Sequence, residues 1–225
     1  MEGVRVHQAA FQDAADTNGG IRTSGFPGYD ASATYVAYEM EAAGYDVTIQ
    51  EFDFPFFQEL EPAELEQTAP VPTVYPYFDV AGFATMEYSG SGDVTAIAEG
   101  VDLVLPPGAA ADTSTSGCEA SDFDTFTAGR VAIIQRGTCS FGLKAQNAEA
   151  AGAVGVVIFN EGQVGRTAAF LGTLGGPGAT VPVVGAAFDV GVELAAGGVT
   201  VRMFVNAESE IRSNEQRDRR DAGWP

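Results

Sequence analysis

Apolar residues recur along this chain at three different spacings, and each spacing predicts a different element. Val6, Ala10 and Ala14 come at four-residue steps, the period of one helix face, until Asn18-Gly19-Gly20 interrupts them. The turn Thr23-Ser24-Gly25-Phe26-Pro27-Gly28 leads to a second expected helix, capped by Asp30 or Ser32, passing through Tyr35, Val36 and Met40 and ending at Gly44. Residues 46–54, DVTIQEFDF, alternate apolar and polar and predict a strand. The pattern is then lost. Residues 55–74 set Pro55, Pro62, Pro70 and Pro72 among Glu59, Glu61, Glu64 and Glu66, which predicts a surface connection, because proline has no N–H to give to a ladder.

Short β-like runs return at 78–84 and 94–104, separated by the turn Gly90-Ser91-Gly92-Asp93, and residues 106–124 read as loop. Residues 131–135 and 154–159 read as apolar runs of strand length, the first closed by Gln135. Between them Ser140 is placed to cap a helix whose Phe141, Ala145, Ala148 and Ala151 share a face, and Gly152 is placed to end it. Strand, helix and strand in that order predict a parallel βαβ crossover. The turn after its first strand, Arg136-Gly137-Thr138-Cys139, lacks the glycine spacing of a dinucleotide site. The Gly172 to Gly178 cluster reads as a mobile loop. Residues 180–185 predict a strand, 188–195 a helix, and Val199, Val201, Met203 and Val205 a last alternating strand. From residue 207 the pattern dissolves into charged residues that predict a disordered tail.

Charge narrows the partners. Thirty-one acidic residues against 11 basic ones give a net charge of −20, a field that repels phosphate backbones and anionic lipid, so neither nucleic acid nor a membrane is an expected partner. No run approaches the length of a membrane span, and Met1-Glu2-Gly3 opens without a leader peptide. One histidine, His7, and two cysteines, Cys118 and Cys139, offer no zinc-ligand spacing, and by count the cysteines fit one disulfide or two buried thiols equally. Asp122 and Asp124 lack the glycine and distal glutamate of a calcium loop, and no G-x-S-x-G marks a serine nucleophile.

The stretch from Gly129 through Arg136-Gly137-Thr138-Cys139, Lys144, Asn147 and Ala150-Ala151-Gly152-Ala153 to Val156 and Asn160 resembles the protease-associated (PA) domain, and Val181-Pro182-Val183-Val184 is similar to its next strand. The resemblance covers about residues 75–205. In the variant found in secreted peptidases, a Gly-Cys before the first βαβ strand pairs with the cysteine of the Arg-Gly-x-Cys turn, and Cys118 and Cys139 occupy those positions. The resemblance thus implies a disulfide and an oxidising compartment. Lys144 and Asn147, on the adjoining helix, are candidates for binding a partner or for bracing the loop.

A second resemblance lies in Ala15-Asp16-Thr17-Asn18, Arg22-Thr23-Ser24-Gly25, Tyr29-Asp30-Ala31-Ser32, Gly44-Tyr45-Asp46 and Glu51-Phe52, which look like the opening of the secreted zinc aminopeptidases related to aminopeptidase Y. In that family the PA domain is inserted next, and two zinc ions with a glutamate general base follow on the portion beyond it. No histidine follows His7 here, and residues 213–225 depart from the expected strand, as in a truncated or frame-shifted reading.

The expected fold is mixed α/β: a PA-type swivelling β/β/α domain with a parallel βαβ unit, preceded by two helices and a strand of an incomplete aminopeptidase α/β domain. The expected division is 1–54 aminopeptidase-like, 55–74 connection, 75–206 PA domain and 207–225 tail. The expected function is that of a secreted, non-catalytic PA portion of a zinc aminopeptidase, inactive alone and holding no metal of its own. Its partners would be a peptide or protein substrate and the catalytic remainder of a full-length enzyme. The alternative is an autonomous PA-type binding module.

Overall fold

The structure is a computed structural model that describes residues 2–213. Its contacts divide them into two compact units, residues 2–54 with 211–213, and Pro55–Glu210.

The first unit holds helices α1 (Glu2–Asp16) and α2 (Pro27–Ala42). Phe11 of α1 meets Tyr35 of α2 edge-on at 5.6 Å, His7 Nδ1 lies 2.7 Å from the Tyr35 hydroxyl, and Arg22 sits 4.7 Å over the Phe11 ring. The start of α2 differs from the expected caps. Pro27 opens the helix after Phe26, its fixed φ already helical and its missing N–H one that needs no partner at that position. Ser32 instead lies one turn in, and its hydroxyl donates to the Gly28 carbonyl at 2.7 Å. Of the strand expected at 46–54, only Asp53 and Phe54 take strand geometry, as the start of the strand Asp53–Ala69, and residues 45–52 are outside any strand. Alternation marks a side-chain preference, and a strand also needs a hydrogen-bonding neighbour.

The second unit is built on strands β1 (Asp53–Ala69), β2 (Thr73–Val74), β3 (Phe83–Thr85), β4 (Gly92–Val101), β5 (Val131–Gln135), β6 (Gly155–Phe159), β7 (Val183–Ala186) and β8 (Thr200–Ser213). They lie in the order β2-β1-β8-β4-β5-β6-β7-β3. β4 changes partner halfway along. Gly92 to Ile97 run antiparallel to β8, and Ala98 to Val101 run parallel to β5. β5, β6 and β7 continue in parallel, as the βαβ reading requires, and β3 closes the edge antiparallel to β7.

Because side chains alternate across a strand, the apolar runs of β5 and β6 feed two cores. Val131, Ile133, Val157 and Phe159 face one, shared with Val190 and Leu194 of α4 (Phe188–Leu194) and with Val201, Met203 and Val205 of β8. Ala132, Ile134, Val156 and Ile158 face the other, shared with Ala145 and Ala148 of α3 (Phe141–Ala150) and with Phe123. Ser140 caps α3 by accepting the Leu143 N–H at 3.3 Å, and Gly152 stops it at φ +86°, where a side chain would be strained.

Three expectations are corrected here. Residues 55–69, read as a surface connection, are most of strand β1. Ala63, Leu65 and Gln67 are buried and alternate with Glu64 and Glu66, whose charges Arg202 of β8 meets at 2.5 and 3.7 Å. Proline is tolerated on an edge without a ladder partner, and among the described residues β2 pairs with β1 at Glu66 and Gln67, away from Pro55 and Pro62. The strand expected over 78–84 is reduced to β3, because the backbone turns at Phe78, where φ is 57°. Residues 207–213, read as tail, continue β8, since a ladder is held by backbone groups whatever the side chains are; the rest of the expected tail lies outside the described residues.

Candidate functional site

The carboxyl ends of parallel strands are where open α/β sheets usually hold ligands. Here a loop of the chain fills that position. Residues 102–119 run across the ends of β5 and β6, bonded to Gln135, Thr138 and Cys139 at the end of β5 and to Glu161, Gln163 and Arg166 after β6. Cys118 and Cys139 form a disulfide, with sulfurs 2.04 Å apart and Cα atoms 5.8 Å apart. One turn apart on α3, Lys144 and Asn147 take consecutive loop carbonyls: the ammonium donates to Ser116 O, and Asn147 Nδ2 donates to Gly117 O at 3.1 Å. Thr138 N–H donates to Ser114 O at 3.0 Å. That approach explains Gly137, where a Cβ would stand 1.9 Å from the same carbonyl.

Buried polar side chains complete the clamp. Gln135, the last residue of β5, accepts the Val104 N–H at 3.0 Å and donates to Glu161 O at 3.2 Å. Ser116 Oγ accepts the Gln135 N–H at 3.0 Å and donates to Val101 O at 2.5 Å. Beyond β6, the buried Glu161 carboxylate accepts the Asp112 N–H at 2.6 Å and one Arg166 nitrogen at 2.9 Å. Arg166 also grips Asp112 through two bonds of 2.9 and 2.8 Å. Every buried donor and acceptor named here has a partner, the condition for such a network to fix one arrangement of the loop.

Lys144 has no exposed surface. Burial lowers its pKa to about 8, against the opposing pull of Asp122, Glu161 and Asp102. Its ammonium also lies 3.6 Å from Cys118 Sγ, so both of its contacts are to the loop.

A separate groove of ≈ 550 Å³ lies beside β3, lined among others by Phe57, Tyr77, Phe78, Phe141 and Leu171 together with Glu59 and Glu87. The Glu59 carboxylate accepts hydroxyl protons from Tyr77 and Thr85. Burial raises the Tyr77 pKa to about 12, and the bond to Glu59 adds to the rise, so the phenol keeps the proton it donates. Phe78 and Leu171 also line an adjoining hollow of ≈ 120 Å³ with Val80.

The sequence placed four residues at this site, Cys118, Cys139, Lys144 and Asn147, and the fold brings all four together. It did not find Ser116, Gln135, Glu161 or Arg166, although Gln135 and Glu161 carried a signal as polar residues at or just past the carboxyl ends of apolar runs. His7 is far along the chain in the first unit, bonded to Tyr35. Among the described residues no three His, Cys, Asp or Glu side chains are grouped to hold a metal ion, so these residues do not fit a zinc centre.

Residues 100–194 match the PA domain family. An aminopeptidase of Pseudomonas aeruginosa is 43% identical over 183 residues, which cover 80% of this chain and 33% of that protein. The "Probable lipoprotein aminopeptidase LpqL" of Mycobacterium tuberculosis is 30% identical over 222 residues, covering 92% of this chain and 39% of that one. Among solved structures, an aminopeptidase from Aneurinibacillus sp. strain AM-1 aligns with a TM-score of 0.62 at 24% identity, over 92% of this chain and 46% of its own. A zinc aminopeptidase from Bacillus subtilis aligns at 0.50 and 21% over the same shares.

The mixed α/β sheet with its parallel βαβ core is thus a fold shared with solved aminopeptidases. Residues 100–194 are a PA domain, set in a chain whose curated relatives are named aminopeptidases. The chain spans 33% and 39% of the length of the two relatives described.

Proposed function

We propose that this chain is the PA-bearing, non-catalytic portion of an exported zinc aminopeptidase, shaping substrate access or protein contacts and inactive by itself. The observation that carries the reading is the 43% identity to an aminopeptidase across 80% of the chain but 33% of that relative. A metal-assisted hydrolysis needs several ligands and a general base around one water. The sequence holds one histidine, and the described residues group no such set, so the chemistry belongs to chain beyond these residues. Export is supported by the disulfide, which persists in oxidising compartments, and by the lipoprotein named among the relatives. In this reading Lys144 and Asn147 brace the loop rather than bind a partner, and the aminopeptidase-like and PA-bearing portions divide near residue 54.

The purified chain with added zinc is expected to leave leucine p-nitroanilide intact. Zinc-dependent release of nitroaniline from the chain alone would overturn the inactive part of the reading. A second reading, an autonomous PA-type binding module for peptides or proteins, is favoured by one observation: Pro55–Glu210 contains two hydrophobic cores of its own.

A further inference from the structure

The groove beside β3 has features that the clamped loop does not need. Two carboxylates line it, Glu59 and Glu87, and no cation does. Neither takes part in the ion pairs among the described residues. Glu59 is held in place by two hydroxyl donors, and an ionised carboxylate has about four lone-pair sites, so it keeps capacity for a charged donor. The aromatic rings of Phe57 and Tyr77 also favour a cation, whereas Phe141 already has the Arg136 guanidinium 5.9 Å from its ring centroid. Beside them the apolar side chains of Phe78, Val80 and Leu171 are 68%, 72% and 69% exposed, although Phe78 and Leu171 border two hollows at once. Covering them with an apolar group removes their surface from water. Anionic ligands meet two carboxylates and a chain of net charge −20.

One chemical unit supplies an ammonium and an apolar side chain on the same carbon. We propose that this groove binds the amino-terminal residue of an apolar peptide, with its α-ammonium on Glu59 and its side chain against Phe78 and Leu171. The choice of a terminal amine over a lysine side chain rests on the aminopeptidase reading, and the carboxylate and apolar contacts do not. A lysine would also place its charge four methylenes from its own backbone, and its stem would have to cover the surface that a first side chain covers directly.

The test titrates the full chain with Leu-Leu-Leu amide while following its amide resonances by NMR. Saturable shifts are expected at Phe57, Tyr77, Thr85 and Thr173, with a Kd on the order of 0.1–1 mM. Acetylating the peptide's amino group should weaken binding about tenfold or more, the effect of losing a charge-assisted bond. Glu59→Gln should weaken the free peptide equally and leave the acetylated one unchanged. Leu171→Ser, at an exposed position, should weaken both several-fold, and it keeps the test sharp if Glu59→Gln unfolds the chain. Equal binding of free and acetylated peptide, equal binding of Nα-acetyl-lysine amide, or no shifts up to about 10 mM would each overturn the proposal. None of these results depends on nitroanilide hydrolysis, so the groove and the aminopeptidase reading can fail separately.

Discussion

Lys144 is the one lysine in 225 residues, and the fold buries it completely. A buried ammonium is costly unless it is bonded, and this one is bonded to the Ser116 carbonyl and faces Asp102, Asp122 and Glu161. Its folded pKa of about 8 lies below the ordinary lysine value of 10.5. Above pH 8 the folded chain releases this proton while the unfolded chain keeps it, so the unfolded state binds more protons and stability rises with pH. Tyr77 acts in the opposite sense. With its folded pKa raised to about 12, it favours the unfolded state once free tyrosine ionises near 10. The clean window is therefore about pH 7.5 to 9.5, where Lys144 should add roughly 1–2 kcal/mol. Urea melts of the native chain and of Lys144→Met across that window measure it, and parallel pH profiles for the two proteins would show that the lysine is not desolvated as described.

At the scale of elements, the loop of residues 102–119 and helix α3 act as one piece. Removing the disulfide with Cys118→Ala and Cys139→Ala should cost about 3 kcal/mol, since the bond closes a loop of about 20 residues. The network gives this a second readout. Amine acylation under native conditions should spare Lys144 in the oxidised chain and reach it after reduction, as mapped by mass spectrometry; equal rates before and after would mean that the sulfur bridge does not hold the loop closed. What the sequence made legible follows the same division of elements. β5, α3, β6, β7 and α4 each carry a single spacing of apolar residues, and each forms close to where that spacing puts it. β1 was hidden because Pro55 and Pro62 outweighed the alternation of Ala63, Leu65 and Gln67, and proline's objection applies only on a paired edge. The disulfide was legible through family resemblance rather than count. The groove was not legible at all, because Phe57, Tyr77, Phe141 and Leu171 meet only through the sheet order.

Across the whole molecule the two units differ in how much apolar surface each buries. Pro55–Glu210 encloses Ile133, Ile134, Val157, Ile158, Phe159 and Met203 with no measurable exposure. Among the described residues of 2–54 the buried apolar side chains are Ala14 and Ala15, while Val4, Val36, Tyr38, Met40, Ile49 and Phe52 range from 41% to 70% exposed. Helices α1 and α2 have 15 and 16 residues, near the length at which an isolated helix is marginal in water, so packing has to supply what propensity does not. Local opening free energy follows buried contact, and the first unit should open far more often than the second. Under limiting trypsin and chymotrypsin, cleavage is expected within residues 2–54, at Arg5, Arg22, Tyr38 and Tyr45 among others. A fragment beginning near Pro55 and keeping the disulfide should persist. Loss of both units at one rate would mean that they unfold together, and a surviving fragment that starts near residue 75 would mean that β1 is not part of the stable sheet.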